Sequence, residues 1–314
     1  MSLISFVLPI YNEAENISQL WIEMQLVEAQ ILQNNPTHSC EYIFINDGSS
    51  DNSLDELLKI YENNQTKVKV ANFSRNHGHQ IAVTAGQDLA KGDAIIIMDT
   101  DLQDPPETCL DLIADWEKGY DIVYAQRSHY KTSFVKQITA WLFYRLLKKI
   151  ASVDIPVDTG DFRLISKRVN FEMQKYPEKA RYLRGISSLV GFKQSCVQFR
   201  RNDRFSGKTG YTFMKSLKLA LDGITGFSVF PLQLISLTGF VFALLGFLTG
   251  FTYIFSSIAF GYHSQGWASL MSAVIFLGGI QMIMLGLIGE YIGRIYVQVL
   301  DRPLYTLDKI WDTK

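Results

Sequence analysis

"AIIIMDTDLQDPPE", Ala94 to Glu107, decides how the rest of this 314-residue chain is read. Its opening apolar run, Ala94–Ile97, does not alternate with polar residues, so it reads as a strand covered on both faces, as in a parallel sheet. Asp99, Asp101 and Asp104 gather where that strand ends. Pro105 and Pro106 stiffen the turn and open a helix, because proline suits the first helical turn. The same unit recurs on the N-terminal side. "LISFVLPI" (Leu3–Ile10) is followed by a helix with Ile17, Leu20, Trp21, Met24 and Val27 at helical spacing. "YIFIND" (Tyr42–Asp47) precedes "SLDELLKIYEN", where Ser53 and Glu56 predict a capping box. "VKVANFS" (Val68–Ser74) and "DIVYAQR" (Asp121–Arg127) complete the strands. Helices lie between them over His77–Gly92 and Pro106–Gly119, with Gly92 and Gly119 expected just past the helix ends. This alternation predicts an α/β domain with a mostly parallel sheet, whose ligands bind beyond the carboxyl ends of the strands. Asp47, Asp99 and Arg127 fall there.

Composition removes several classes. A net charge of −1 and a pI near 6.5 give no case for nucleic acid. Cys40, Cys109 and Cys196 are far apart and show no CxxC spacing, which argues against a disulfide framework or a zinc site. His77 and His79 have no third ligand near them in the sequence. No G-x-G-x-x-G follows a strand, so a dinucleotide fold lacks its fingerprint. The N-terminus has no basic region followed by an apolar core, so no signal peptide is expected.

The charge is unevenly spread. From Gly223 to Gly289 there is no Asp, Glu, Lys or Arg. Phe230–Phe260 and Trp267–Ile292 are each long enough to span a hydrocarbon core of about 30 Å, which a pair of soluble core helices would not require. Lys215 and Lys218 precede the first stretch, and Arg294, Arg302 and Lys309 follow the second. The positive-inside rule then puts both flanks, both termini and the N-terminal domain in the cytoplasm, with two spans in the cell membrane. Gly246, Gly250, Gly278, Gly279 and Gly286 would let helices approach closely, within one chain or between copies, so a homo-oligomer is left open. Ser133–Ser152 is amphipathic, either lying on a membrane surface or packing on the core. The basic residues Lys193, Arg200, Arg201, Arg204, Lys208, Lys215 and Lys218 suit anionic headgroups and a lipid phosphate.

Two carboxylates one residue apart at a strand tip can face one divalent cation. Mg²⁺ and Mn²⁺ take oxygen ligands and are commonly held by one or two carboxylates plus substrate phosphates. Asp99 and Asp101 fit that chemistry, and Gln103 offers a neutral oxygen. By itself D-x-D equally describes a solvated turn.

The company it keeps is more telling. "LPIYNEAENI", "INDGSSD", "FSRNHGHQIAVTAG", "MDTDLQDPPE" and "VDTGDFRL" together resemble the inverting family-2 glycosyltransferases with a GT-A domain, in the branch that acts on polyisoprenyl phosphates. That branch includes the dolichol-phosphate mannose synthases and the bacterial bactoprenol glucosyltransferases, and the C-terminal pair of spans resembles the latter. The resemblance implies a GT-A domain over residues 1–210, a juxtamembrane amphipathic helix over 211–228, the two spans within 229–293 and a cytosolic tail over 294–314. It implies that Pro9, Tyr11, Asn12, Glu13, Asp47 and Arg75 hold the nucleotide of a UDP-sugar. It further implies that Asp99, Asp101 and Gln103 hold Mg²⁺ or Mn²⁺ and the diphosphate. Arg127 and Arg163 would face the acceptor phosphate or the sugar, with a surface ion pair as the alternative for Arg127. Arg204 and Lys208 would lie on a loop over the phosphates. Asn46 stands where many members have a second aspartate.

The implied reaction is hexosyl transfer, with glucose from UDP-glucose as the expected case, to a polyprenyl (undecaprenyl) phosphate with inversion. Its second pKa near 6 leaves the acceptor largely deprotonated at neutral pH. Asp158 or Asp161 is the candidate base, and either instead orients Arg163. Mannose or an aminosugar is the alternative donor, and a non-catalytic membrane-anchored nucleotide-sugar-binding module the alternative class. No Gln-x-x-Arg-Trp occurs, which argues against a processive synthase.

Overall fold

The computed structural model describes residues 2–128, 159–179, 181–200, 230–260 and 266–312. The amphipathic stretch at Ser133–Ser152, the juxtamembrane helix expected over 211–228, and the site candidates Asp158, Arg204 and Lys208 lie outside the described residues. The chain divides into two units, residues 1–149, 153–213 and 302–314 forming one and residues 150–152 and 214–301 the other.

The first unit is built on an eight-stranded sheet in the order β7-β5-β6-β4-β1-β2-β3-β8. β1 (Ser2–Ile10), β2 (His38–Asn46), β3 (Val68–Phe73) and β4 (Ala94–Ile97) form its parallel centre. β6 (Thr159–Ser166) runs antiparallel between β4 and β5 (Ile122–Arg127), and β7 (Gln194–Phe199) lies parallel to β5. β8 (Leu307–Trp311) closes the other edge, antiparallel to β3. The sheet is thus mostly parallel, as its uninterrupted apolar runs predict, with β6 and β8 as reversed members.

Both faces are covered. α1 (Ala14–Asn34), α2 (Ser53–Asn63) and α4 (Thr108–Glu117) pack on the side that carries Ile4, Phe6, Leu8 and Ile10. α3 (His79–Leu89), α5 (Lys167–Gln174) and α6 (Leu183–Leu189) pack on the side that carries Val7, Ile43 and Ile165. At about 1.5–3 kcal/mol for each fully buried Leu, Ile, Val or Phe, these layers supply the main driving force. Gly119, at φ 93°, stands just past the end of α4 as expected. Two local expectations fail. Ser53 caps nothing: α2 has Asn52 at its N-cap, and the Ser53 hydroxyl accepts the Glu13 N–H at 3.0 Å. Gly92 is beyond the end of α3, where its N–H donates to the Ser5 hydroxyl at 2.8 Å.

β8 was not expected. Residues 302–314 belong to the first unit rather than to a free tail. The Tyr305 ring stacks on Phe73 at 5.2 Å and its hydroxyl donates to Asp88 at 3.0 Å. The Tyr61 hydroxyl donates to the Asp312 carbonyl at 2.8 Å.

In the second unit, α7 (Phe230–Phe260) and α8 (Trp267–Val299) are apolar helices. α7 matches its expected bounds, and α8 continues beyond Ile292 to Val299. Two hydroxyls of α7 bond within the helix: Thr249 donates to the Leu245 carbonyl at 2.9 Å and Ser236 to Leu232 at 3.1 Å. Glu290 and Arg294, one turn apart, pair at 3.0 Å.

Candidate active site

The loop after β4 sorts its residues by alternation. Thr100, Leu102 and Asp104 are buried, whereas Asp99, Asp101 and Gln103 between them are part-exposed. The Thr100 hydroxyl donates to the Pro9 carbonyl at 3.0 Å and ties the loop to β1. Leu102 reaches the core at φ 57°, a conformation that costs a branched side chain of order 1–3 kcal/mol. The Gln103 N–H donates to Asp101 Oδ1 at 3.1 Å. Inward anchors therefore hold the outward acids. Asp104 differs from its two neighbours: its side chain is wholly inside the protein, and the Arg127 guanidinium lies 3.5 Å away.

The reversed strand β6 enters at this tip. Thr159 pairs with Gln126 and Arg163 with Ile97, so the strand starts beside the carboxyl ends of β4 and β5 and runs away from them. Asp161 is thereby brought beside Asp99. His79 joins the two: its Nε2 is 3.2 Å from Asp161 Oδ2 and 3.5 Å from Asp99 Oδ1. Asp161 also accepts from Gln80 Nε2 at 2.9 Å, from Arg184 Nε at 2.9 Å and from Arg184 Nη2 at 3.3 Å.

The electrostatics follow from this crowding. Burial pushes the Asp99 carboxyl up to about 6, with Asp161, Asp104 and Asp101 adding to the rise and His79 opposing it. Burial works against a charge on His79, but Asp161 and Asp99 outweigh it and hold the imidazole up at about 9. Burial likewise raises Asp161, yet His79 and Arg184 together hold that carboxylate far below its ordinary range. Asp161 is an acceptor already saturated by cations and is poorly suited to take a proton.

The other strand tips form a linked set. Asn12, at φ 54°, accepts the Ser50 N–H at 2.8 Å, and its own N–H donates to Ser49 at 3.0 Å. Glu13 accepts from the Asn16 side-chain amide. Tyr11 is 49% exposed, and Arg75 is exposed as well. Asp47 is buried, its two oxygens accepting the backbone N–H groups of His77 at 2.7 Å and Gly78 at 2.9 Å. Both oxygens of its carboxylate thus hold the loop after β3. Gly48 permits that approach: at φ 63°, a Cβ there would stand 2.4 Å from the Arg75 carbonyl carbon.

The remaining expected positions divide. Pro9, Tyr11, Asn12, Glu13, Asp47, Arg75, Asp99, Asp101, Gln103, Arg127 and Asp161 all lie at or next to the carboxyl ends of the strands. Arg163 does not belong with them. It is 0% exposed, under α6, with Nη1 donating to Ser187 at 3.1 Å, so it faces neither an acceptor nor a sugar. Gly160 leaves room for Arg127, whose Nη2 would be 3.2 Å from a Cβ at that position. His79, Gln80 and Arg184 are site residues that the sequence does not single out, since only the fold brings them to Asp161. The oxygen donors at Asp99 and Asp101 fit a hard divalent cation. Among the described residues no three acidic, histidine or cysteine side chains form a metal cage.

Residues 5–172 match the family described as glycosyl transferase family 2, and residues 230–295 match a family described as the GtrB C-terminal hairpin. The chain is 45% identical over 306 residues to the uncharacterized glycosyltransferase YkcC of Bacillus subtilis, covering 97% of this chain and 93% of the relative. It is 39% identical over 308 residues to the prophage bactoprenol glucosyl transferase homolog of Escherichia coli, covering 98% and 99%. It is 39% identical over 307 residues to the bactoprenol glucosyl transferase of Shigella phage SfII, covering 98% and 97%.

Proposed function

The chain belongs to glycosyltransferase family 2, and from that membership we propose that it transfers a glucosyl residue from UDP-glucose to a polyprenyl phosphate, with inversion, at the cytoplasmic face of a membrane. One observation carries the proposal: the likeness to proteins named bactoprenol glucosyl transferase runs through both the sheet domain and the apolar hairpin. A polyprenyl phosphate is membrane-bound, and an enzyme that uses it needs an anchor beside a nucleotide-sugar site. This chain has two apolar helices and an acidic strand-tip cluster in one polypeptide.

The residues divide the work. Asp99 and Asp101 would hold Mg²⁺ or Mn²⁺ with Gln103 beside them. That cation would supply Lewis-acid stabilisation to the departing diphosphate. Tyr11, Asn12 and Glu13 at the tip of β1, with Pro9 behind them, would line the nucleotide side, and Arg75 is an exposed cation just past the end of β3. Asp47 shapes that side by fixing the His77–Gly78 backbone. Arg127 steadies the acidic loop through Asp104. Because Asp161 is occupied by Arg184, Gln80 and His79, it acts as an anchor for those groups. A phosphate acceptor that is already ionised at neutral pH needs no strong base. Asp158, and the loop cations Arg204 and Lys208, keep the roles that the resemblance implies.

Anchoring follows from the hairpin. β7 precedes the two helices in the chain and β8 follows them, yet both are strands of one sheet. A folded sheet lies on one side of a bilayer, which supports an even number of crossings. The lysines and arginines flanking the hairpin then favour the cytoplasmic side.

The test is a donor screen. Purified protein with undecaprenyl phosphate and Mg²⁺ is offered UDP-glucose, UDP-N-acetylglucosamine and GDP-mannose, and the product's anomeric configuration is read by NMR. Glucose in β linkage, from the α-linked donor, is expected. Preference for another donor, or a retained configuration, would refute the corresponding part.

A further inference from the structure

We propose that Arg184 binds a phosphate oxygen of a substrate, the part that the sequence reading gave to Arg163. The proposal rests on the transferase reading above and adds to it a residue and its ligand chemistry.

The geometry comes first. Arg184 meets Asp161 through Nε and Nη2, which fixes the plane of the guanidinium. Asp161 does not engage Nη1, which carries two more N–H donors. Arginine in this pose presents a pre-oriented fork, and phosphate is the ligand that such a fork suits. Position comes next. A single side chain, His79, links Asp161 to Asp99, so Arg184 stands one residue removed from the acids that would hold the metal and diphosphate. Exposure separates the two arginines: the Arg184 side chain is 30% exposed, whereas Arg163 is 0% exposed.

Arg184 keeps a donor edge that Asp161 does not take, and both substrates offer it an acceptor. Donor and acceptor each bring phosphate oxygens, a diphosphate from one and a monoester from the other.

The test uses the full-length protein and the variants R184Q and R184K. UDP affinity is measured by calorimetry with Mg²⁺ present, and the KM for undecaprenyl phosphate under saturating UDP-glucose. In R184Q one of these constants should worsen at least tenfold. A weaker UDP affinity assigns the contact to the diphosphate, and a raised acceptor KM assigns it to the monoester. R184K keeps the charge but loses the fork, and should recover part of the loss; should R184Q fail to fold, a three- to tenfold loss in R184K carries the same reading. Both constants within twofold of wild type in a folded variant would overturn the proposal, as would a drop in melting temperature alone. A wild-type protein that neither binds UDP nor transfers glucose would instead refute the transferase reading along with it.

Discussion

Asp161 and Arg163 stand two residues apart on one face of β6 and do unrelated work. Strand alternation puts both on the same side of the sheet, and that much is legible in "DTGDFRL". Depth is not. Each pair of residues advances the strand by roughly 7 Å, and β6 runs away from the strand tips. Asp161 therefore stays at the site while Arg163 sinks beneath α6. Replacing Arg163 with Gln should lower the melting temperature and leave the UDP affinity and acceptor KM within about twofold; a tenfold rise in KM would return it to the site. The opposite error concerns Arg184 and His79, which no spacing rule singles out, because their role comes from a carboxylate on another element. His79 has a measurable signature in metal-free protein. Its pKa is raised from the ordinary 6.5 to about 9, so the stability it contributes is complete below 6.5 and is lost as the pH climbs through 9. Urea midpoints recorded in EDTA from about pH 6 to about pH 9.5 should fall more steeply for wild type than for His79→Gln; parallel profiles would show that the imidazole is not so held. Gly48→Ala should cost more than about 1 kcal/mol, combining positive φ with a backbone collision. A cost below about half that, read from denaturant unfolding, would contradict the close approach of the two loops.

The central elements were readable because their chemistry is local. β1, β2, β4 and both apolar helices are long or pure enough in composition to name themselves, and α7 falls where hydropathy put it. β6 and β8 were not. β6 is legible as a motif but not as a strand, since Asp161 and Arg163 break its apolar pattern. β8, "LDKIW", is short, partly charged and separated from its partner β3 by the whole hairpin. Edge strands are commonly short and charged, because an exposed edge must resist pairing with other chains. Tyr305 is what makes this one identifiable in space, through Phe73 and Asp88. Tyr305→Ala should destabilise the first unit by about 2 kcal/mol, the sum of an aromatic pair and one hydrogen bond. Chemical denaturation gives the number, and a change under about 0.5 kcal/mol would mean that the segment is not docked there.

At the scale of the whole molecule, β7 and β8 bracket the hairpin in sequence and belong to one sheet. α8 has 33 residues, about 50 Å at 1.5 Å per residue, more than a bilayer core requires. A helix of that length crossing a bilayer would tilt or project, and the paired Glu290 and Arg294 stand where charge returns to the sequence. Since strands before and after the hairpin share one sheet, a cysteine placed at Ser264 should react with an impermeant reagent added outside intact cells, and one at Thr313 should be protected. The reverse pattern would overturn the orientation. In the proposed reaction the acids at the tip of β4 hold the cation and diphosphate during glucosyl transfer to a lipid phosphate. The most direct measurement is the transfer of labelled glucose from UDP-glucose into undecaprenyl phosphate by wild type and by Asp101→Asn, with folding of both checked by circular dichroism. Wild type should label the lipid, and the variant should fall by more than tenfold, about 1.4 kcal/mol in barrier, with its fold intact. Equal labelling by the two proteins, or none by wild type, would contradict the claim.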